Sequence, residues 1–278
     1  MKVVITGASG FLGQALLRRL SRTDAEIVPV TRRTLPGMVH VADYRDTPAG
    51  DVLVYLAASA QRFESSVEQE RNQAEQHRAM LETLAAKPFR RLVYASSAVL
   101  YGDTASTPRA PDDAIHVVDA YTRVKRCGEL AVLDARSGAV ARLANLFGPG
   151  MSTTNVVSTI LQQIPGAGDL QVRDAAPVRD FLWVDDAADA LARMAAGEET
   201  GIFNVGTGKG TSIGGLAKLA LDLAGEGQRR VFSTRPDARQ SQLVLDISRT
   251  NAVWRWSPTT TVDAGLMRLL RGGADRAT

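Results

Sequence analysis

A glycine-spaced segment near the start of the chain constrains its fold more than any other feature. The sequence Thr6-Gly-Ala-Ser-Gly-Phe-Leu-Gly13 follows a strand-like run at Lys2–Thr6 and leads into a helical pattern near 11–22. Glycine allows a tight turn, and its missing side chain lets a pyrophosphate approach the amino end of the helix. The spacing therefore predicts a strand–turn–helix unit that binds a dinucleotide. An ordinary glycine-rich turn is the alternative.

The rest of the first half repeats this alternation of short apolar runs and longer helical patterns. The predicted strands are Lys2–Thr6, Glu26–Val30, Asp51–Leu56, Arg91–Ala95 and Ala139–Leu143, and the predicted helices lie near 11–22, 65–86 and 119–137. Nearly continuous apolar strands need helices on both faces of their sheet. The pattern indicates an α/β fold with a doubly wound parallel sheet, which is Rossmann-like.

The alternation breaks after Leu143, where Gly148-Pro-Gly150 and a helix-like stretch at 155–163 follow. A further strand is expected at Ile202–Val205, and helices near 212–225 and 262–271. We therefore expect an NADP-binding domain at 1–144, which 179–205 rejoins. A smaller substrate-binding lobe would comprise 145–178 and 206–278.

Composition excludes several classes of function. Among 278 residues, 33 are basic and 30 acidic, and the basic ones are scattered, so nucleic acid is not an expected partner. The only cysteine is Cys127, and no His/Cys cluster has metal-ligand spacing. No apolar run resembles a signal or membrane segment, so we expect a cytoplasmic protein without a metal.

A second group of residues suggests the chemistry. Tyr121 and Lys125 are four residues apart, so they share one face of a helix, and the Lys125 ammonium would favour the ionised Tyr121 phenol. Tyr121 could then donate or accept the proton that accompanies hydride transfer to or from a carbonyl. Ser97 lies at the end of the predicted strand Arg91–Ala95, at the sheet edge where ligands bind, and could hold the reacting oxygen.

With these motifs in order, the chain resembles the extended branch of the short-chain dehydrogenase/reductase superfamily. The resemblance implies that Ser97 is the catalytic serine, that Ser96 neighbours the cofactor, and that Lys125 binds the nicotinamide ribose. It also implies an adenine contact by Asp43. The implied cofactor-binding positions are Gly7, Gly10, Phe11, Leu12, Gly13, Arg32, Arg33, Asp43, Tyr44, Leu56, Ala57, Ala58, Asn72, Ser96, Tyr121 and Lys125.

The cofactor type depends on the end of the second strand. An acidic residue there would bond the ribose diol of NAD, but the chain has Thr31-Arg32-Arg33. Two guanidinium groups favour a 2′-phosphate, so we expect NADP rather than NAD. The alternative is that both arginines merely face solvent.

Later segments resemble nucleotide-sugar epimerases, dehydratases and reductases: Arg142–Gly150, Val178–Asp186 and Phe203–Gly208. The resemblance implies that Asn145, Asn155, Arg179 and Arg235 bind the nucleotide sugar, with the two arginines on its diphosphate. Arg179 could instead pair with Asp180. Asp185 or Asp186 is expected to cap a helix that begins at Ala187.

The residues after Ser97 narrow the reaction. Similar dehydratases carry Asp-Glu here, decarboxylases a Glu and 3,5-epimerase/reductases a Cys, whereas this chain has Ala98-Val99. The prediction is an NADPH-dependent reductase of a nucleotide-linked keto-sugar, specifically a 4-keto-6-deoxy sugar. A nucleotide-sugar 4-epimerase that retains NAD is the alternative. A cofactor-binding sensor and a reductase of a non-nucleotide ketone are further readings, and the resemblance suggests a homodimer through the helices at 65–86 and 119–137.

Overall fold

The structure is a computed structural model that describes residues 1–57, 66–237 and 239–274. Its strands are β1 (Lys2–Thr6), β2 (Glu26–Thr31), β3 (Val39–His40), β4 (Val52–Tyr55), β5 (Arg91–Ser97), β6 (Gly138–Leu143), β7 (Asn145–Phe147), β8 (Leu170–Val172), β9 (Val178–Trp183), β10 (Gly201–Val205), β11 (Gly210–Ser212), β12 (Val231–Ser233) and β13 (Gln242–Leu243). Its α-helices are α1 (Phe11–Leu20), α2 (Val67–Ala85), α3 (Ala120–Leu133), α4 (Val156–Leu161), α5 (Val184–Ala196), α6 (Ile213–Leu223), α7 (Ser248–Trp254) and α8 (Val262–Ala274).

The large sheet has seven parallel strands in the order β10-β6-β5-β4-β1-β2-β3. Alternate residues point to opposite faces, so Val3 and Ile5 enter one apolar cluster while Val4 enters another. Helices α1 and α5 cover the first face, and α2 and α3 cover the second. This arrangement confirms the predicted doubly wound, Rossmann-like fold.

A smaller lobe lies beyond the carboxyl ends of these strands. Strand β9 pairs with β7, β11 and β13, and β12 pairs with β8 in a separate two-stranded sheet. A third apolar cluster holds the lobe together around Phe147, Phe181 and Trp183. The stretch 179–205 is divided, because β10 lies at the edge of the large sheet while β9 belongs to the smaller one.

The prediction that Asp185 or Asp186 caps the helix after β9 is wrong. Helix α5 begins at Val184, and its N-cap residue Trp183 makes no side-chain capping bond. Asp185 instead pairs with Arg18 at 2.9 Å. Asp186 is buried and accepts the Thr260 amide at 2.9 Å. Both carboxylates are therefore used by partners that are distant in sequence.

Within the described ranges, no helix combines the length and apolarity that crossing a membrane requires.

Helices α2 and α3 pack against each other within the chain. A homodimer through them stays a prediction.

Candidate active site

The glycine turn between β1 and α1 leaves no room for side chains. Gly7 has a φ of +71°, and a Cβ atom there would lie 3.0 Å from the Ala57 backbone nitrogen and Cα. A Cβ atom on Gly13 would lie 2.4 Å from the Gly7 carbonyl oxygen. The turn is closed by the Gly10 amide, which donates to that same carbonyl at 3.0 Å. Glycine is therefore required here both for φ and for close approach.

The amino end of α1 fits the pyrophosphate of a dinucleotide. Gly10 is the N-cap residue and supplies no side-chain cap, and the first turn carries no acidic residue. The amides of Phe11, Leu12 and Gly13 thus begin the helix without an intrahelical acceptor, at the positive end of the helix dipole. An anion placed above Gly10 would satisfy them.

The adenine end of the predicted cofactor site forms a cavity of about 240 Å³. Its lining includes Arg32, Asp43, Tyr44 and Ala57, four predicted cofactor residues. The Arg32 guanidinium lies 5.5 Å from the centre of the Tyr44 ring, a cation–π distance. The Asp43 carboxylate accepts the Arg45 amide and pairs with its guanidinium, each at 2.8 Å. Arg33 is exposed next to Arg32.

Three further predicted cofactor residues do not line the adenine cavity. Leu56 packs against the apolar cluster beneath α1, and Asn72 is exposed on α2. The Ser96 hydroxyl is buried and donates to Glu129 at 2.6 Å, inside the domain. Ala58 lies outside the described residues.

The three predicted catalytic residues lie on β5 and on α3, the helix that packs against it. Ser97 ends this strand, and its hydroxyl accepts the Val99 amide at 3.3 Å. Helix α3 begins at Ala120, so Tyr121 and Lys125 lie on its first turns. The Lys125 ammonium donates to the Ala95 carbonyl at 2.7 Å and lies 5.8 Å from the centre of the Tyr121 ring. The Lys125 ammonium therefore lies beside the Tyr121 ring, as their four-residue spacing predicted.

Burial lowers the pKa of Lys125 to about 8, and the Glu129 carboxylate acts in the opposite direction. Glu129 is fully buried and binds the Arg142 guanidinium through two bonds of 2.8 Å. The sequence analysis missed Glu129, although it follows Lys125 by four residues and so shares its helix face. No local pattern indicated its partner Arg142, which lies on β6.

The predicted substrate residues Asn145, Asn155, Arg179 and Arg235 all line one cavity of about 1020 Å³. They differ in what they can still bind. Asn155 caps α4 by accepting the Val157 amide at 2.9 Å, and its amide nitrogen donates to the Leu146 carbonyl at 3.1 Å. Asn145 and Arg235 make no side-chain hydrogen bond to any other residue in the described part of the chain.

The alternative prediction for Arg179, an ion pair with Asp180, is wrong. Its guanidinium pairs with Asp103 at 3.0 Å. Asp180 instead accepts the amides of Thr207 at 2.8 Å and Gly208 at 3.0 Å. Asp103 also pairs with Arg239 at 2.7 Å, and no local motif signals that contact because 136 residues separate the two.

The described residues contain no cluster of three or more His, Cys, Asp or Glu side chains that could hold a metal ion. The candidate site combines the glycine turn at 7–13, the group Ser97, Tyr121 and Lys125, and a cavity of about 1020 Å³.

The chain is similar to known proteins along most of its length. A sequence model of the family described as "NAD dependent epimerase/dehydratase family" matches residues 3–206. A curated relative, UDP-glucuronic acid decarboxylase 4 of Arabidopsis thaliana, is 24% identical over 98% of this chain and 68% of its own length. A probable dTDP-4,6-dihydroxy-2-methyloxan-3-one 4-ketoreductase of Streptomyces antibioticus is 31% identical over 74% of this chain and 70% of its own. The structure of RMD from Pseudomonas aeruginosa, solved with NADPH, superposes with a TM-score of 0.85 at 25% identity and covers 99% of both chains.

Proposed function

The chain belongs to the NAD dependent epimerase/dehydratase family, and we propose that it is an NADPH-dependent ketoreductase of a nucleotide-linked keto-sugar. The protein is an NAD(P)-dependent enzyme of a family that modifies nucleotide sugars. Within that family we propose NADPH as the cofactor, reduction as the reaction and a 4-keto-6-deoxy sugar as the substrate.

The observation that carries the proposal is the pair of arginines after β2. Arg32 and Arg33 are both exposed at the edge of the cofactor cradle. No carboxylate pairs with either guanidinium in the described residues. Free guanidinium groups at this edge suit the 2′-phosphate that distinguishes NADPH from NADH. The likeness to a protein solved with NADPH supports the same choice.

The catalytic residues of the chain would handle the proton and the substrate oxygen. NADPH, when bound, would supply the hydride. Tyr121 would donate its phenolic proton to the carbonyl oxygen of the sugar, while Ser97 would hold that oxygen by a hydrogen bond. Lys125, fixed on the Ala95 carbonyl, would stabilise the tyrosinate that remains.

The residues after Ser97 support reduction rather than elimination. Ala98 and Val99 carry no acid or base, and the nearby Asp180 carboxylate is already bonded to Thr207 and Gly208. These residues therefore do not supply the free acid and base that elimination needs. The 6-deoxy sugar is proposed from the likeness to the probable 4-ketoreductase of Streptomyces antibioticus.

Titration calorimetry with NADPH and NADH tests the cofactor assignment. The double variant Arg32→Ala/Arg33→Ala should weaken NADPH binding about 10- to 100-fold and leave NADH binding unchanged, because charged hydrogen bonds to phosphate contribute about 1.5–3 kcal/mol. Arg22→Ala is the matched control, since Arg22 is an exposed arginine before the opposite end of β2. Equal losses for both cofactors would contradict the 2′-phosphate assignment.

The absorbance of the purified protein separates the two reactions. An empty cofactor site, together with NADPH oxidation by a nucleotide-linked 4-keto-6-deoxy sugar, is the result expected for a reductase. Tightly retained NAD would instead favour the 4-epimerase, because that reaction oxidises and reduces one carbon without cofactor exchange.

A further inference from the structure

The Tyr94 side chain contacts residues of two helices, His77 of α2 and Lys125 of α3. We infer that Tyr94 is a positioning residue, whose ring keeps the Lys125 ammonium charged and in place beside Tyr121. The role of Lys125 in the reaction rests on the proposed function. The charge of Lys125 can nevertheless be measured without substrate or cofactor.

The Lys125 ammonium is held by consecutive residues of one strand. Its Nζ donates to the Ala95 carbonyl at 2.7 Å and lies 5.3 Å from the centre of the Tyr94 ring. A cation over an aromatic face is attracted by the ring quadrupole, and more strongly where water is excluded. Lys125 is buried, and burial lowers its pKa to about 8. The Tyr94 ring acts against that loss of charge.

Gly128 allows the Tyr94 ring to lie this close to α3. It follows Lys125 by three residues and therefore shares its helix face. A Cβ atom at position 128 would overlap Cζ and the hydroxyl oxygen of Tyr94, and would lie 3.0 Å from Nε2 of His77. The contact between Tyr94 and Lys125 thus depends on the missing side chain at Gly128.

Two further neighbours fix the Tyr94 ring. Its hydroxyl hydrogen-bonds to Nε2 of His77 at 3.1 Å, which satisfies a buried polar group. Tyr55 is its register partner on β4, and the two rings stack with their centres 6.0 Å apart and an interplanar angle of 23°. Tyr94 is 0% exposed, so its ring cannot turn away from Lys125 without opening the core.

The groups around Lys125 leave it as the local cation. Burial and the Lys125 charge lower the pKa of His77 to about 4, so His77 is neutral where Lys125 titrates. Burial raises the pKa of Tyr94, so its phenol keeps its proton. Besides these two side chains, Lys125 faces the Tyr121 ring and the Glu129 carboxylate. The ionisation of Lys125 therefore reports on the Tyr94 ring without interference from a second titration.

NMR titration of the lysines tests the inference. The chain has five lysines, and Lys125 alone is buried; the others are Lys2, Lys87, Lys209 and Lys218. In the full chain labelled with ¹³C at the lysine Cε, Lys125 should give a resonance that titrates near pH 8 and that Lys125→Arg removes.

Tyr94→Leu removes the aromatic face, so the Lys125 midpoint should fall by about 0.5–1 pH unit. Tyr55→Leu is the matched control, because Tyr55 is also buried, on the neighbouring strand, and its loss removes the same volume from the same apolar cluster. Both variants should lower the melting temperature, and only Tyr94→Leu should move the midpoint.

A second pair of variants keeps the shape of the ring. Tyr94→Phe retains the negative ring face and should leave the midpoint of Lys125 in place. Tyr94→pentafluorophenylalanine has nearly the same shape but reverses the charge distribution of the ring, so the midpoint should fall as in Tyr94→Leu. This pair remains informative if Tyr94→Leu does not fold.

The outcomes separate this inference from the proposed function. An unchanged or raised midpoint in Tyr94→Leu and in the fluorinated variant shows that Tyr94 serves packing alone, and the proposed function stands. Equal falls in Tyr94→Leu and Tyr55→Leu also overturn the inference, because lost packing would then be the cause. A fall confined to the Tyr94 variants, in a protein that does not bind NADPH, supports the inference while the proposed function fails.

Discussion

Around Lys125 the charged groups are buried and paired, whereas Arg173 and Arg235, which line the cavity of about 1020 Å³, are exposed and have no side-chain partner in the described part of the chain. Lys125 is 6% exposed, and the nearby Glu129 and Arg142 are 0% and 2% exposed. Desolvation at the first place lowers the pKa of Lys125 towards the range in which an enzyme works. At the second place the guanidinium groups are exposed and remain available to a ligand.

The two regions therefore suit different roles. A proton-transfer group needs a fixed geometry and a tuned pKa, and burial provides both. A binding wall for an anion needs free donors, and burial without a ligand would cost more than it gains. The variants below test whether this division holds.

The largest effect is expected at the catalytic edge. Tyr121→Phe removes the proton and keeps the ring, so turnover should fall about 10²- to 10⁴-fold while NADPH affinity is unchanged. Tyr94→Phe is the matched control, because the Tyr94 ring also lies near Lys125, at 5.3 Å, and its hydroxyl hydrogen-bonds only to His77 among the described residues. Turnover by Tyr121→Phe equal to that of Tyr94→Phe would refute the role of Tyr121.

The next effect concerns the buried pair beneath the site. Glu129→Gln leaves the Arg142 cation buried without its counter-charge, so the free energy of unfolding should fall by about 3–5 kcal/mol. Glu82→Gln is the control, since Glu82 is half-exposed and pairs with Arg78 on α2. Urea denaturation measures both. If both variants lose the same small free energy of unfolding, the burial of the Glu129–Arg142 pair does not contribute to stability.

Glu129→Gln should also move the pH dependence of turnover. The Glu129 carboxylate raises the pKa of Lys125 against the effect of burial, which lowers it to about 8. Without that carboxylate the ammonium loses its proton at lower pH, so the alkaline fall in turnover should shift to lower pH. An unchanged pH profile of turnover would show that Lys125 does not cause the alkaline fall.

A smaller effect is expected at the cavity. Asp103→Asn removes the charge that pairs with Arg179 and Arg239, and the free energy of unfolding should fall by about 1–2 kcal/mol at neutral pH, since these groups are partly exposed. Bonds from Arg239 and Ser241, with the nearby Arg179 charge, lower the pKa of Asp103 from 3.8 to about 2. Its stabilisation is thus complete above about pH 4 and is lost as the pH falls towards 2.

The difference between Asp103→Asn and the unmodified protein should therefore shrink over that acidic range. Asp222→Asn is the control, because Asp222 pairs with Lys218 on one exposed face of α6. A difference that persists at low pH would show that the Asp103 charge is not the source of this stabilisation.

Local motifs predicted where the elements of the catalytic edge lie, because the parts of each motif are close in sequence. The strand–turn–helix at 2–20, the end of β5 and the four-residue spacing of Tyr121 and Lys125 all depend on short-range geometry. The family and the doubly wound sheet are confirmed. The roles of the individual site residues stay predictions.

The cavity wall could be predicted only in part. Asn145, Asn155, Arg179 and Arg235 do line one cavity, as the resemblance implied. Their free or committed state could not be predicted, because it depends on partners such as Asp103, which lies 76 residues before Arg179. The cap expected at Asp185 or Asp186 was wrong for the same reason, since both carboxylates have distant partners.

The sequence by itself determined the layered sheet, the glycine cradle and the helix face that carries Tyr121 and Lys125, because hydrophobic periodicity and backbone geometry act over a few residues. Tertiary structure alone decided which charges are paired. Arg179 and Arg239 meet Asp103 only after the chain has folded, and Arg173 meets Arg235 only through the pairing of β8 with β12. A guanidinium group binds whichever acceptor the fold brings within hydrogen-bond distance, and no local sequence pattern predicts which acceptor that is.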